Sequence, residues 1–439
     1  MNCFDGVEAI FLDPGPSDHT PILVRLGVEL YHRKSPFRFF NFWAEDPLFL
    51  AIVEEAWNNQ VSGSPPYRFC KKLKLVKMAL KELNRNSYSS ISSRSNQART
   101  YLHSIQARLK SDMGNVDLRA QERLALLDLI RMSNAEESLL KQKSRNLWIA
   151  EGDSNTAYFH NCVKARLNSN KILSLTKYDN SIVLFDLPQI HQEAVSYFST
   201  FLNKEGTSNR EDISFSFMEG NLVSPLQSSE LLREVSREEE KAILFNMDSR
   251  KAPGPYGFNV HFFKKAWAIV GEDFTDAVLH FFNSDRLLKE LNNTSLSLIP
   301  KVANPSRMTD FRPIACCNVL YKCISKLIAN RLKQVLPSII DESQSAFVPG
   351  RHIGDNILIA QDILRNYHRI NTSPRCAIRV DFCKAFDSVN WNFLFSTLQA
   401  LKFPARFIGW IQQCVSTPKY SLNINGELTG YFGSSRGLR

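Results

Sequence analysis

The stretch Cys376-Ala-Ile-Arg-Val-Asp-Phe-Cys-Lys-Ala-Phe-Asp-Ser-Val389 constrains this chain more than any other. Cys-Ala-Ile-Arg-Val-Asp reads as a buried strand that delivers Asp381 to its C-terminal end. A tight Lys-Ala-Phe-Asp turn and an amphipathic helix follow. A carboxylate at the end of a strand, just ahead of a helix, is where a fold can hold a divalent cation against a phosphate. The plainer reading makes Asp381 and Asp387 ordinary strand-end and N-cap residues.

Length and charge narrow the setting. The 439 residues suggest about three structural units. A net charge of +10 favours polyanionic partners, although a basic soluble protein needs none. Nine cysteines are an odd number. Cys316, Cys317 and Cys323 lack paired zinc-ligand spacing, and His160 and Cys162 have no second pair. The thiols therefore read as reduced and intracellular, with nucleus and cytoplasm not separated. Asp5 and Glu8 sit among the apolar residues of the N-terminus, which argues against a signal peptide. No apolar run reaches the length of a bilayer.

Three regions differ in texture. Residues 1–30 are strand-like, with Ile22, Val24 and Leu26 alternating after a Pro-Gly-Pro turn. Residues 35–238 are mostly helical: Leu73, Val76, Leu80 and Leu83 recur at helical spacing, as do Leu102, Ile105, Leu109 and Met113. Two or three long amphipathic helices are expected, in an antiparallel hairpin. Lys71, Lys72, Lys74, Lys77 and Lys81 line the first, where they face either a nucleic-acid backbone or solvent. Trp148, Tyr158 and Phe159 offer rings for base stacking or for a core. The Ser-, Asn- and Gly-rich run from Gly206 to Pro225 reads as a linker.

The third region, 239–439, is a series of blocks. Arg250-Lys-Ala-Pro-Gly-Pro-Tyr-Gly-Phe258 makes a rigid turn into a helix whose Phe262, Trp267, Val270, Phe274, Val278 and Phe282 face inward. Leu298-Ile-Pro-Lys-Val-Ala-Asn-Pro305 and Asp310-Phe-Arg-Pro-Ile314 follow. A basic amphipathic helix spans Tyr321 to Leu336, and the block Glu342 to Asn356 opens another. Trp391 to Leu401 reads as a helix, and Tyr420 to Leu428 alternates around Asn-Gly, a strong hairpin signal.

In this order the blocks resemble the fingers and palm of reverse transcriptases of non-LTR (LINE-type) retrotransposons. Residues 142–160 look like a block that plant members carry before the polymerase. The resemblance implies an α/β fold: a truncated right-hand polymerase, fingers plus partial palm, behind a mainly helical connector. It implies an RNA-directed DNA polymerase that uses Mg²⁺, deoxynucleoside triphosphates, an RNA template and a DNA primer. Asp381 would be the metal ligand, with the Phe382 carbonyl assisting. Lys301 and Arg312 would grip the triphosphate, Phe386 would reject the ribose 2′-hydroxyl, and Arg351 would contact a phosphate. Asp387 would shape the turn. The family usually has aspartate where this chain has Tyr256, a departure that bears on the geometry of that turn.

Upstream, Gly15-Pro-Ser-Asp-His-Thr-Pro-Ile-Leu23 resembles the last motif of an endonuclease/exonuclease/phosphatase-type domain, with His19 as general base and Asp18 orienting it. The chain carries Ser435-Arg-Gly-Leu-Arg439 but not the Gln-Gly-Asp-Pro or aromatic-x-Asp-Asp blocks that follow in the family. The expectation is an incomplete and inactive polymerase. The alternatives are a catalytically dead nucleic-acid-binding remnant or a domesticated interaction protein. A group II intron maturase is the nearest other enzyme, and the Ser-Asp-His run speaks against it.

Overall fold

The computed structural model describes residues 8–11, 20, 22–25, 35–144, 156–179, 182–204, 221–365, 367, 376–382 and 384–438. Near the N-terminus, β1 (Glu8–Phe11) and β2 (Ile22–Arg25) form an antiparallel pair, with Glu8 opposite Arg25. The alternation of Ile22 and Val24 thus does make a strand. Asp18 and His19 lie outside the described residues.

The helical part follows. It comprises α1 (Phe49–Trp57), α2 (Pro65–Leu83), α3 (Ile91–Ser111) and α4 (Val116–Ser144). The periodic residues of α2, namely Leu73, Val76, Leu80 and Leu83, are all buried. Prolines 65 and 66 start this helix where a missing N–H costs nothing. Helices α3 and α4 form an antiparallel hairpin, closed by a small core of Leu102, Ile105 and Ala125. Met113 sits in the turn between them, exposed, so the helical period ends before it.

After α5 (Thr156–Ser169) come a two-stranded pair, β3 (Leu175–Thr176) with β4 (Val183–Leu184), and α6 (Leu187–Asn203). Next are α7 (Pro225–Leu232), α8 (Arg237–Asn246), α9 (Val260–Lys265) and α10 (Trp267–Ser284). Phe262, Val270, Phe274, Val278 and Phe282 are buried as expected, and Trp267 packs partly buried beside them.

Strands β5 (Thr294–Pro300) and β6 (Phe311–Cys316) form a hairpin, and α11 (Val319–Ile339) and α12 (Ile353–Leu364) follow. The short α13 (Ala385–Ser388) leads to α14 (Trp391–Ala400) and α15 (Ala405–Ser416). Strands β7 (Tyr420–Ile424) and β8 (Glu427–Phe432) close the chain's only four-stranded sheet among the described residues. Its order is β6-β5-β7-β8, with β5 parallel to β7 and the other pairs antiparallel. Asn425 and Gly426 make the β7–β8 turn with φ of 50° and 88°, the left-handed pair that a two-residue hairpin requires. The fold is thus mixed α/β, with a helical N-terminal part and a mixed sheet.

The expected boundary at 238/239 does not divide the core. Phe39, Phe49 and Phe69 from before it pack against Phe258, Phe262 and Phe274 from after it, with ring centroids 5.3 Å apart for Phe39–Phe262 and 5.5 Å for Phe69–Phe274. A second core joins Ile190, Ala194, Phe198 and Leu202 of α6 to Leu296, Tyr420, Leu422 and Phe432 of the sheet. Asn425 fastens this union, accepting from the Ile172 N–H and donating to the Ile172 carbonyl, each at 2.8 Å. Apolar periodicity is local and does not announce which distant segment covers a helix, so the shared core was not visible in the sequence.

The Arg250–Phe258 turn is set into this core. The Phe39 N–H donates to the Gly257 carbonyl at 2.9 Å. Gly257 holds φ of 84°, and a Cβ there would lie 2.1 Å from the Phe37 carbonyl oxygen. Tyr256 donates its backbone N–H to Asn318 Oδ1 at 3.2 Å. Its ring packs against the main core, where burial raises the hydroxyl pKa. The departure at Tyr256 is accommodated by packing. Among the described residues no helix is long and apolar enough to cross a membrane, and the described cysteines are free thiols.

Candidate nucleotide and metal site

The β5–β6 hairpin carries two of the expected phosphate-binding cations. Pairing of Ile299 with Arg312 and of Pro300 with Phe311 places both at its tip. Phe311 turns into the second core and Arg312, one residue on, faces solvent, as the period of two demands. The Lys301 N–H donates to the Asp310 carbonyl and Lys301 Nζ to the Thr309 carbonyl, both at 2.7 Å. The Asp310 carboxylate accepts the N–H groups of Arg307 (2.9 Å) and Ser306 (3.0 Å). Chiefly through the Arg307 N–H, its pKa is held below the usual carboxylate range. Asp310 therefore orders the loop and does not pair with Arg312. The Arg312 guanidinium has no hydrogen bond or ion pair among the described residues.

The segment around Asp381 differs from expectation. Residues 376–382 form no strand, and Ile378, Val380 and Phe382 are 82%, 72% and 79% exposed. The alternation is present, but a strand needs a ladder partner, and none pairs with this segment among the described residues. Asp381 is exposed, as is the Phe382 that follows it. No hydrogen bond or ion pair among the described residues joins Asp381 to Lys301 or Arg312.

The turn beyond Asp381 is well tied down. Lys384 adopts φ of 53°, and its carbonyl accepts the N–H of Asp387 at 2.9 Å, opening α13. Phe386 is exposed, its ring edge-on to Phe347 at 6.4 Å. Its carbonyl accepts the Leu438 N–H at 2.7 Å, and the Val389 carbonyl accepts the Gly437 N–H at 2.8 Å. Trp391 Nε1 donates to the Gly437 carbonyl at 2.8 Å. Gly437 has φ of 87°, and a Cβ there would come 2.8 Å from the Asp387 carbonyl oxygen, so the two segments meet through a position that favours glycine.

Sequence reading overlooked α6 as part of this arrangement. Lys384 Nζ donates to the Tyr197 hydroxyl at 2.9 Å and lies 4.1 Å above the Phe201 ring. Arg436 stacks on the same ring at 5.2 Å and donates through two nitrogens to the Phe201 carbonyl. One helix end thus grips both segments, through Lys384 and Arg436. The signal was the Tyr197–Phe201 spacing of four, which puts two rings on one helix face.

Arg351 is held at a helix end. Its guanidinium donates to the carbonyls of Pro337 (3.1 Å), Ile340 (2.8 Å) and Gln344 (2.7 Å), and also to that of Asp341. These are the orphan acceptors at and beyond the C-terminal end of α11, where a cation also suits the helix dipole. A guanidinium so engaged caps a helix end. Phe159 is fully buried with Tyr158 edge-on to it at 5.9 Å, so it is a core residue; Trp148 lies outside the described residues.

A metal at this site would meet the Asp381 carboxylate and the Phe382 carbonyl, both hard oxygen donors of the kind Mg²⁺ takes. Among the described residues no three His, Cys, Asp or Glu side chains gather as a ready-made cage. Water and substrate phosphates would complete the shell, which is usual for Mg²⁺.

Comparison with known proteins gives a family match and two relatives. Residues 299–439 match the family described as reverse transcriptase (RNA-dependent DNA polymerase). An uncharacterized 149 kDa protein of the transposon TX1 from Xenopus laevis is 27% identical over 96% of this chain and 32% of its own length. The Pol polyprotein of the type-2 retrotransposable element R2DM from Drosophila melanogaster is 32% identical over 32% of this chain and 13% of its own length. The chain thus spans about a third or less of these relatives. Residues 299–439 thus carry the reverse transcriptase match, and the chain is similar to proteins of non-LTR, LINE-type retrotransposons.

Proposed function

We propose that this chain supplies the fingers and first palm elements of a right-hand RNA-directed DNA polymerase. The observation that carries the reading is the unpaired Arg312 guanidinium beside Lys301 at the tip of β5–β6. Phosphoryl transfer depends mainly on fixed cations facing the charge that develops on phosphate oxygens. Arginine adds a bidentate fork that matches a phosphate edge. Lys301, already held by the Thr309 carbonyl, stands beside it as a point charge. When bound, Mg²⁺ neutralises phosphate charge and lowers the pKa of the attacking hydroxyl. Asp381 and the Phe382 carbonyl would supply its protein oxygens. Lys384, held by Tyr197 and Phe201, sets the pose of the turn, and Phe386, exposed in that turn, would reject a ribose 2′-hydroxyl. The substrates are deoxynucleoside triphosphates on an RNA template with a DNA primer.

Calorimetric titration of the chain with Mg²⁺ and dATP or ATP tests the reading. Arg312→Ala should weaken dATP by roughly ten- to a hundredfold, the worth of a charged hydrogen-bonded contact of about 1.5–3 kcal/mol. Phe386→Ala should let ATP approach the affinity of dATP. Equal binding by wild type and Arg312→Ala would overturn the assignment. A second reading, nucleic-acid binding without polymerisation, is favoured by the exposed, unpaired 376–382 segment that bears Asp381. Extension of a DNA primer on RNA, abolished in Asp381→Asn, separates the two.

A further inference from the structure

The charge of this chain is distributed unevenly. Residues 65–111, which hold α2 and α3, contain eleven of the 54 lysines and arginines but only one of the 44 acidic residues, Glu82. That stretch therefore carries a net +10, the net charge of the whole chain, and the remainder balances at 43 of each sign. The stretch lies far upstream of the reverse transcriptase match at 299–439.

The structure separates the spent cations from the free ones. Lys72 pairs with Asp273 at 2.7 Å, Arg85 reaches Glu82 at 3.3 Å, and Arg94 donates to the Ser89 carbonyl at 3.0 Å. Lys77 is half-buried over the Phe37 ring. Lys71, Lys74 and Lys81 on α2, and Arg99, Arg108 and Lys110 on α3, are exposed and have no acidic partner among the described residues. Lys71, Lys74 and Lys81 share one stripe of α2 and extend about 15 Å along it at 1.5 Å per residue. Their field is felt locally: Lys81 and Lys74 add to the burial that lowers the Lys77 pKa. Helix α3 contains no acidic residue at all. Its solvent face presents Ser92, Ser93, Asn96, Gln97, Thr100 and Ser104, with Tyr101 56% exposed among them.

We infer that α2 and α3 form a nucleic-acid surface separate from the catalytic hairpin, one that takes the sugar–phosphate backbone of single-stranded RNA without regard to sequence. Lysine and arginine neutralise phosphates, hydroxyl and amide side chains bond phosphate and sugar oxygens, and an exposed ring stacks on a base. An anionic membrane is the weaker match, because the open face of α3 is polar and its apolar face is closed against α4. The inference does not rest on polymerisation.

The experiment is fluorescence anisotropy of a labelled single-stranded RNA of mixed sequence against the whole chain, between 50 and 200 mM salt. Six phosphate contacts at about 0.7 each give a log–log slope near −4, or a loss of roughly 300-fold in affinity over that range. Lys71→Gln/Lys74→Gln/Lys81→Gln and Arg99→Gln/Arg108→Gln/Lys110→Gln should each reduce the loss to roughly 20-fold. Lys71→Arg/Lys74→Arg/Lys81→Arg should restore it. Lys241→Gln/Lys289→Gln/Lys333→Gln, which removes three exposed lysines elsewhere, should leave it unchanged. An unaltered slope in both α2 and α3 variants would overturn the inference. So would an equal fall in the control, which means a diffuse field, or binding to phosphatidylserine vesicles without binding to RNA. Arg312→Ala should leave the slope intact, so this surface and the triphosphate site can fail independently.

Discussion

Phe39→Ala tests whether the helical N-terminal part and the polymerase-family part are one folding unit. Phe39 is fully buried, and its ring meets Trp43 at 5.5 Å, Phe49 at 5.9 Å, Phe262 at 5.3 Å and Phe258 at 6.5 Å. Truncating a buried phenylalanine costs about 3–5 kcal/mol, transfer and cavity together. Four ring neighbours, each worth roughly 0.5–1.5 kcal/mol beyond area, place this site toward the upper end. With a urea dependence of about 3 kcal/mol per M for a protein of this size, the unfolding midpoint should fall by roughly 1–2 M. The decisive readout is where protection is lost. Hydrogen exchange followed by mass spectrometry should show α10 and α11 losing protection together with α1 and α2, because Phe262 loses its partner. Faster exchange confined to residues 37–144, with α10 and α11 unchanged, would refute the shared core. Phe39→Leu, which keeps much of the volume, should recover most of the midpoint.

Two further outcomes follow from polar groups that the fold engages. Glu240 is buried, accepts one hydrogen bond from the Thr275 hydroxyl at 2.8 Å, and has its pKa raised to about 7 by burial. The folded protein therefore keeps a proton that the unfolded chain releases near pH 4.5, so stability should fall as pH rises from about 4.5 through about 7 and then level off. Glu240→Gln should flatten that limb in urea midpoints taken at pH 5 and 8; an unchanged slope would mean another group titrates. Arg351→Ala should speed amide exchange across residues 337–345 by leaving four carbonyls uncapped, a loss of about 1.5–3 kcal/mol locally. It should leave the salt slope of RNA binding untouched, whereas a shallower slope would assign Arg351 to phosphate binding.

What the sequence disclosed was what is local. The spacing of Leu73, Val76, Leu80 and Leu83 marked α2, the inward row from Phe262 to Phe282 marked α9 and α10, and Asn425-Gly426 marked the last hairpin. The order of the blocks pointed to the reverse transcriptase family. What it hid was pairing. The run Ile378, Val380, Phe382 has a strand's alternation, yet a strand is a relation between two segments, and its apolar side chains stand in solvent. The hold of Arg351 on a helix end was hidden because a cation after glycine is ambiguous until its neighbours are known. Helix α6 was assigned to a connector because nothing in Tyr197 or Phe201 names Lys384, nearly two hundred residues away, as their partner.

The parallel pairing of β5 with β7 sets an order of events on the ribosome. Thr294 lies opposite Tyr420 and Ser297 opposite Asn423, so β5 keeps an open edge until the chain has grown by more than a hundred residues. At roughly 5–20 residues per second, that edge waits on the order of 6–25 s. The Ile172 amide waits longer still, since its partner Asn425 is 253 positions later. An emerging chain is thus obliged to shelter the open edge of β5 and its apolar residues Leu296 and Leu298. Synonymous codons that slow translation between 300 and 420 should raise the share of aggregated nascent protein without altering a single residue of the finished one.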